Sequence, residues 1–125
     1  MVEKNKKDPL TERIIGCCFA VHTGLGPGFR EQVYHNALKL ALEQEGLKFE
    51  TEQTFKVYYL DEVVGTYRAD LVIESKVIIE IKAVVGFMPK IFESQLLSYL
   101  QASKIHVGLL VNFGNSKCFV KRYVV

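Results

Sequence analysis

The chain has 125 residues, 49% apolar and 24% charged, with a formal net charge of +2. These are the proportions of one soluble globular domain with room for an ordinary core. No apolar run approaches the roughly 18 residues a membrane span needs, and the opening M-V-E-K-N-K-K-D-P-L lacks the apolar centre of a secretory signal, which sets the expectation of a cytoplasmic protein with no membrane partner.

The small net charge decides nothing about nucleic acid, because acidic metal ligands offset basic phosphate contacts. Cys17, Cys18 and Cys118 are one short of a four-thiolate site and form no C-x-x-C. They read as core residues of a reducing compartment.

In chain order, residues 1–9 read as a flexible basic arm ending at Pro9, and residues 10–125 as a single domain. From Leu10 the apolar residues Leu10, Ile14, Cys17 or Cys18 and Val21 recur at the spacing of one helix face, with Thr11 or Asp8 as cap. T-G-L-G-P-G (23–28) breaks that helix. A second runs from about Phe29 to Glu45, with Val33, Ala37, Leu38, Ala41 and Leu42 as its stripe and Gly46 as its stop. The period then changes to two. Phe49–Leu60 and Val63–Ile73 read as strands joined by a turn at Asp61–Glu62, and E-S-K (74–76) turns into a third strand, Val77–Ala83. A loop with Gly86 and Pro89 leads to a helix over about Lys90–Ala102, and the strands Ile105–Asn112 and Lys117–Val124 flank G-N-S (114–116). The order α-α-β-β-β-α-β-β is that of a mixed α/β or α+β sandwich.

The third strand contradicts itself. Val77, Ile78, Ile79 and Ile81 put apolar side chains on both of its faces, yet Glu80 and Lys82 sit among them and Asp70 interrupts the strand before. Unpaired buried charge costs several kcal/mol. Glu80 and Lys82 share a face, about 6.6 Å apart. If the turn is symmetric about Ser75, Asp70 stands opposite Glu80 at about 5 Å. Two facing carboxylates need a positive partner, which is either Lys82 alone or a divalent cation. Mg²⁺ commonly takes one or two carboxylates and keeps several waters. With a lysine beside it, such a site suits phosphodiester hydrolysis. The competing reading is a solvated sheet face, which the apolar neighbours disfavour.

Asp70 followed by E-I-K (80–82), after a helix and a strand, resembles the PD-(D/E)XK nuclease superfamily. G-F-R-E-Q-V-Y (28–34) is similar to the signature of its GxxExxY branch, and the likeness extends through V-V-G-T-Y-R-A-D-L-V-I (63–73), S-Q-L-L-S-Y-L (94–100) and V-G-L-L-V-N-F-G (107–114). The resemblance implies a restriction-endonuclease-like core, a central mixed β-sheet flanked by helices, with Mg²⁺ or Mn²⁺ as cofactor. It makes Asp70, Glu80 and the main-chain carbonyl of Ile81 metal ligands, with Glu31 as an added acid. It makes Lys82 the residue that positions the attacking water, and Gln95 and Tyr99 contacts to the phosphate or to metal-bound water. Ala69 stands where the motif has proline.

Glu31 and Tyr34 are three apart, and Gln95 and Tyr99 four apart, so each pair shares a helix face. Because the resemblance assigns Glu31 and Gln95 to one metal site, and their helices are long enough to cover that sheet face, the two are expected to border one cavity. Tyr34 is either a core residue or, with Lys117, Lys121 and Arg122, a nucleic-acid contact. Lys4, Lys6 and Lys7 read as a solvated tail, His22, His35 and His106 as structural or solvated, and G-L-G-P-G as a plain turn.

The leading expectation is therefore a metal-dependent nuclease acting on nucleic acid, DNA first. The alternative is a nucleic-acid-binding or scaffold protein that keeps this fold with little catalysis. A homodimer through the last strand is a further reading. A domain with no evident specificity module calls for low sequence specificity or a protein partner that supplies it.

Overall fold

The computed structural model describes residues 8–125. The expected N-terminal arm lies outside these residues except for Asp8 and Pro9, which begin the first helix. α1 (Pro9–Leu25) has proline in its first turn and Asp8 as N-cap. The Asp8 carboxylate accepts from Leu10 N–H at 3.1 Å and from the Thr11 hydroxyl at 2.7 Å. α2 (Glu31–Gln44) packs beside it.

The class and the order of helices and strands are as expected, but each of the first two long strands is divided. The first becomes β1 (Phe49–Thr51) and β2 (Thr54–Tyr59), the second β3 (Glu62–Arg68) and β4 (Leu71–Ile73). β5 (Val77–Lys82), α3 (Ile91–Ser103), β6 (Val107–Asn112) and β7 (Phe119–Val124) complete the chain. The division has a physical cause. At Glu52, whose φ is +54°, the antiparallel pair kinks. Glu52 N–H still reaches Asp70 C=O (3.2 Å) and Ala69 N–H reaches Gln53 C=O (2.9 Å), so the pair bends without separating. Beyond the kink, β2 and β3 form their own two-stranded ribbon.

The main sheet runs β1-β4-β5-β6-β7. Its one parallel pair is β5–β6, and the others are antiparallel. The α3 crossover makes the parallel pair possible. Alternation along the strands divides the core into two. Leu71, Ile73, Val77, Ile79, Ile81, Leu109 and Val111 face Ile14, Cys18, Leu38 and Leu42 of α1 and α2. Val72, Ile78 and Leu110 face Leu96 and Leu100 of α3, joined by Tyr67 from the ribbon. The three cysteines are free thiols, Cys17 and Cys18 buried in the first core, and burial pushes the Cys18 thiol up. Among the described residues, no helix is long and apolar enough to cross a membrane.

Two asparagines tie the segment after β5 to the β6–β7 turn. Asn112 is 1% exposed; its Oδ1 accepts Val84 N–H at 2.8 Å and its Nδ2 donates to Val84 C=O at 2.9 Å. Asn115 grips Gly86 in the same way, at 2.8 and 2.9 Å. The approach is so close that a Cβ on Gly114 would lie 2.3 Å from the Val84 carbonyl oxygen. Gly114→Ala is therefore expected to destabilise the domain by about 2 kcal/mol or more, through main-chain displacement. Urea unfolding measures it, and a midpoint equal to that of the wild type would show that the two segments give way freely.

Candidate metal-binding and catalytic site

β4 and β5 pair as Leu71↔Ile79, Val72↔Ile78 and Ile73↔Val77, a ladder symmetric about Ser75. Asp70 and Glu80 are the next rung, and there the ladder stops because the chain kinks at Asp70. Side chains replace the missing main-chain bonds. Asp70 N–H donates to Glu80 Oε2 at 3.0 Å, and Ile81 N–H donates to Asp70 Oδ2 at 2.7 Å. Each carboxylate thus holds the other's strand.

The main-chain groups of one residue in a strand point to the same edge. Lys82 C=O points to the β6 side, where it accepts Phe113 N–H at 2.9 Å. The Ile81 carbonyl therefore faces the notch, beside its own N–H. Two carboxylates and one carbonyl bear on one gap in the sheet.

Glu31 reaches the gap from the α2 side. The turn before α2 needs Gly28, whose φ of +108° strains any other residue. Tyr34 fixes that turn: its hydroxyl donates to Gly26 C=O at 2.7 Å and accepts Phe29 N–H at 3.2 Å. Its ring is fully buried and stacks on Phe113 at 4.6 Å. Tyr34 is therefore a core residue that steadies the start of α2, and the expectation of a direct nucleic-acid contact is corrected. A cleft of about 80 Å³ is lined by Glu31, Gln32, His35, Glu52, Asp70 and Ile81.

The sequence reading makes His35 structural or solvated, and its place is more pointed. Its Nε2 lies 3.1 Å from Asp70 C=O, and since a carbonyl only accepts, Nε2 carries the proton. Nδ1 is then free to accept from Gln32 Nε2 at 3.4 Å. The i,i+4 spacing from Glu31 is the signal in the sequence that could have found the shared face. Glu52 left no such signal, because its place follows from the kink.

Glu80 is 9% exposed. Burial, then the Asp70 charge, pushes its carboxyl up to about 7; Lys82 opposes this and Glu31 adds to it. The Lys82 ammonium stands over the Phe92 ring, 4.1 Å from its centroid. Tyr99 stacks on Tyr67 at 3.9 Å with planes 5° apart. Burial raises the Tyr99 phenol, and the charges of Glu80 and Asp70 raise it further. Gln95, one turn earlier in α3, is exposed. Glu31 and Gln95 do not border one cavity: α2 and α3 cover opposite faces of the sheet, and the cleft includes only Glu31.

The basic residues of the last hairpin do not share a face. Lys121 lies 3.8 Å from Glu93 and Arg122 lies 3.7 Å from Asp8, on opposite sides of β7. Lys117 is exposed in the turn.

Among the described residues, no group of three or more His, Cys, Asp or Glu forms a ready metal cage. The donors at the notch are hard oxygens from two carboxylates and a carbonyl, a set that suits Mg²⁺ or Mn²⁺ with water completing the shell. A carboxyl raised to about 7 by burial and then by a second carboxylate is also a place where a cation would be favoured.

No curated protein matches the chain. Among solved structures, the crystal structure of SSO0001 is similar, with a TM-score of 0.57 and 23% identity over 75% of this chain and 50% of that one. This likeness speaks for the fold alone, and the chain spans about half the length of the structure it matches. The sequence profile of the PD-(D/E)XK nuclease superfamily matches residues 8–123, which hold the notch and all the elements around it. By that match the chain belongs to the PD-(D/E)XK nuclease superfamily.

Proposed function

We propose that the protein hydrolyses phosphodiester bonds of nucleic acid, DNA foremost, with Mg²⁺ or Mn²⁺ held by Asp70, Glu80 and the Ile81 carbonyl. The observation that carries this reading is the convergence of those oxygens on one gap, with Lys82 two residues from Glu80 on the same face. A divalent cation supplies Lewis acidity toward the phosphate and lowers the pKa of water. The protein's own groups do the rest. Asp70 and Glu80 would hold the cation that offsets their charge and that of the phosphate, and Glu31 orients water from the α2 side. Lys82, whose ammonium stands over the Phe92 ring, holds the attacking water and offsets charge that builds on the phosphate. Tyr99 and Gln95 meet the strand from the α3 side, and Lys117 meets its backbone.

Membership of the GxxExxY branch is part of the same proposal. It is supported by the positive φ of Gly28, by Glu31 in the cleft and by Tyr34 pinning the turn between them. Each residue of that signature then has a separate physical task. Sequence specificity comes from a protein partner or a second copy, if it is needed.

The test compares two variants on single- and double-stranded DNA and RNA, with Mg²⁺ or Mn²⁺ and with chelator. Glu80→Gln is expected to abolish cleavage and weaken metal binding with the fold intact. Lys82→Ala is expected to keep metal binding and slow cleavage by about 10²-fold or more. Calorimetric metal titration and cleavage rates read both. A Lys82→Ala variant as fast as the wild type removes the lysine from the mechanism. Oligonucleotides that bind and persist uncut under every condition give the scaffold alternative its case.

The Glu80 carboxyl also predicts a pH dependence without metal. Its folded pKa is raised from 4.5 to about 7. Its contribution to stability is therefore intact below about pH 4.5 and is lost as pH rises through about 7. An amide in place of the carboxyl stays neutral at every pH, so in chelator near pH 8 Glu80→Gln is expected to be more stable than the wild type by about 2–3 kcal/mol. The gap should close near pH 4.5, and added Mg²⁺ should stabilise the wild type alone. Urea unfolding at both pH values checks this, and coincident curves near pH 8 would show that Glu80 is not strained.

A further inference from the structure

The loop after β5 ends in two side chains with no place in the fold. Val85 is 85% exposed and Phe87 101%, although the main chain beneath them is gripped at Val84 and Gly86 by the Asn112 and Asn115 amides. Holding a loop at two points to present a bare phenyl ring is the reverse of how a soluble protein treats an incidental aromatic. Beside it lies a hollow of about 420 Å³, lined by Gly86, Phe87, Met88, Asn112, Asn115 and Phe119.

The hollow lies one strand across from Lys82: Asn112, in its wall, is the β6 residue paired with Lys82, and adjacent strands lie about 4.8 Å apart. The chain beside it carries Lys90 and Lys117, while Lys121 is paired with Glu93, and Arg122, paired with Asp8, lies on the other side of β7. Such a surface suits a ligand with phosphates at its rim and a flat apolar face at its centre. Both hollow-lining asparagine amides are engaged with main chain, so the hollow offers stacking surface rather than base-specific hydrogen bonds.

We propose that this hollow takes one unstacked nucleobase of the substrate strand, stacked on Phe87, close to the phosphodiester held at Asp70 and Glu80. The proposal rests on the nuclease reading and narrows it: the favoured substrate has an unpaired or frayed strand, and its sequence matters little.

The protein has no tryptophan, so Phe87→Trp carries its only indole. In chelator, where no cleavage occurs, a single-stranded oligonucleotide is expected to quench that indole and the matching duplex to quench it less. Phe87→Ala should weaken single-strand binding by roughly 10-fold or more, and Phe87→Tyr should restore it. Because the ring is fully exposed, these changes leave the core untouched. An unquenched indole, an unchanged affinity in Phe87→Ala, or no binding of any oligonucleotide overturns the proposal. So does a Phe87→Ala variant whose sedimentation shows a dimer lost, since the loop then serves a second copy of the chain. Cleavage assays separate the two readings. Quenching without cleavage by the wild type removes the nuclease reading and keeps the base site. Cleavage with affinity indifferent to Phe87 does the opposite.

Discussion

Two hydrogen bonds across one missing rung set the geometry around them. Asp70 N–H to Glu80 Oε2 and Ile81 N–H to Asp70 Oδ2 stand where β4 and β5 would otherwise pair. Continuing the ladder would have satisfied the same donors with carbonyls and left no carboxylate needed. Stopping it brings two acids together in a place that is 9% exposed at Glu80, at the cost of raising that carboxyl. The same kink sends β2 and β3 away from the main sheet and over α3, where Tyr67 donates its hydroxyl to Tyr99 C=O at 2.9 Å. One bend therefore makes the notch and roofs one side of it.

The notch also joins the two halves of the core. α2 and α3 lie on opposite faces of the sheet, so no ordinary strand position is open to both. At a gap in the sheet the faces communicate. Glu80 feels Glu31 from the α2 side, and Tyr99 on the α3 side feels Glu80 and Asp70. His35 reaches through to the Asp70 carbonyl. A site assembled this way draws on elements far apart in sequence while staying small.

This explains what the sequence made legible. The Ser75-centred register could be read because strand periodicity is two and the turn is short, which fixes the parity of Asp70 against Glu80. The helices could be read from their stripes, and the first also from its Asp8 cap. The division of the long strands could not, because a positive φ at Glu52 is a rare conformation for a residue other than glycine and left no mark in composition. The opposite placement of Glu31 and Gln95 was hidden for a related reason, since helical spacing says which residues share a face and not which face of the sheet a helix covers. Tyr34 shows the limit of motif reading. Its spacing from Glu31 is regular, but whether a tyrosine contacts a ligand or steadies the turn before its helix depends on packing.

Rigidity is distributed with this charge in mind. Phe55, Tyr67 and Tyr99 stack in sequence, with centroids 5.2 and 3.9 Å apart, and form a stiff wall on the α3 side. Tyr34 and Phe113 do the same on the other. The groups between them are the ones that gain from a cation: a raised carboxyl, its neighbour, and a carbonyl at an open edge. A loose frame would relieve the repulsion by letting Asp70 and Glu80 turn apart, and the site would lose its shape. A stiff frame keeps the repulsion in place, and a cation then gains by relieving it. The raised Glu80 carboxyl and the relief a cation would bring to it are, in this fold, consequences of the same packing.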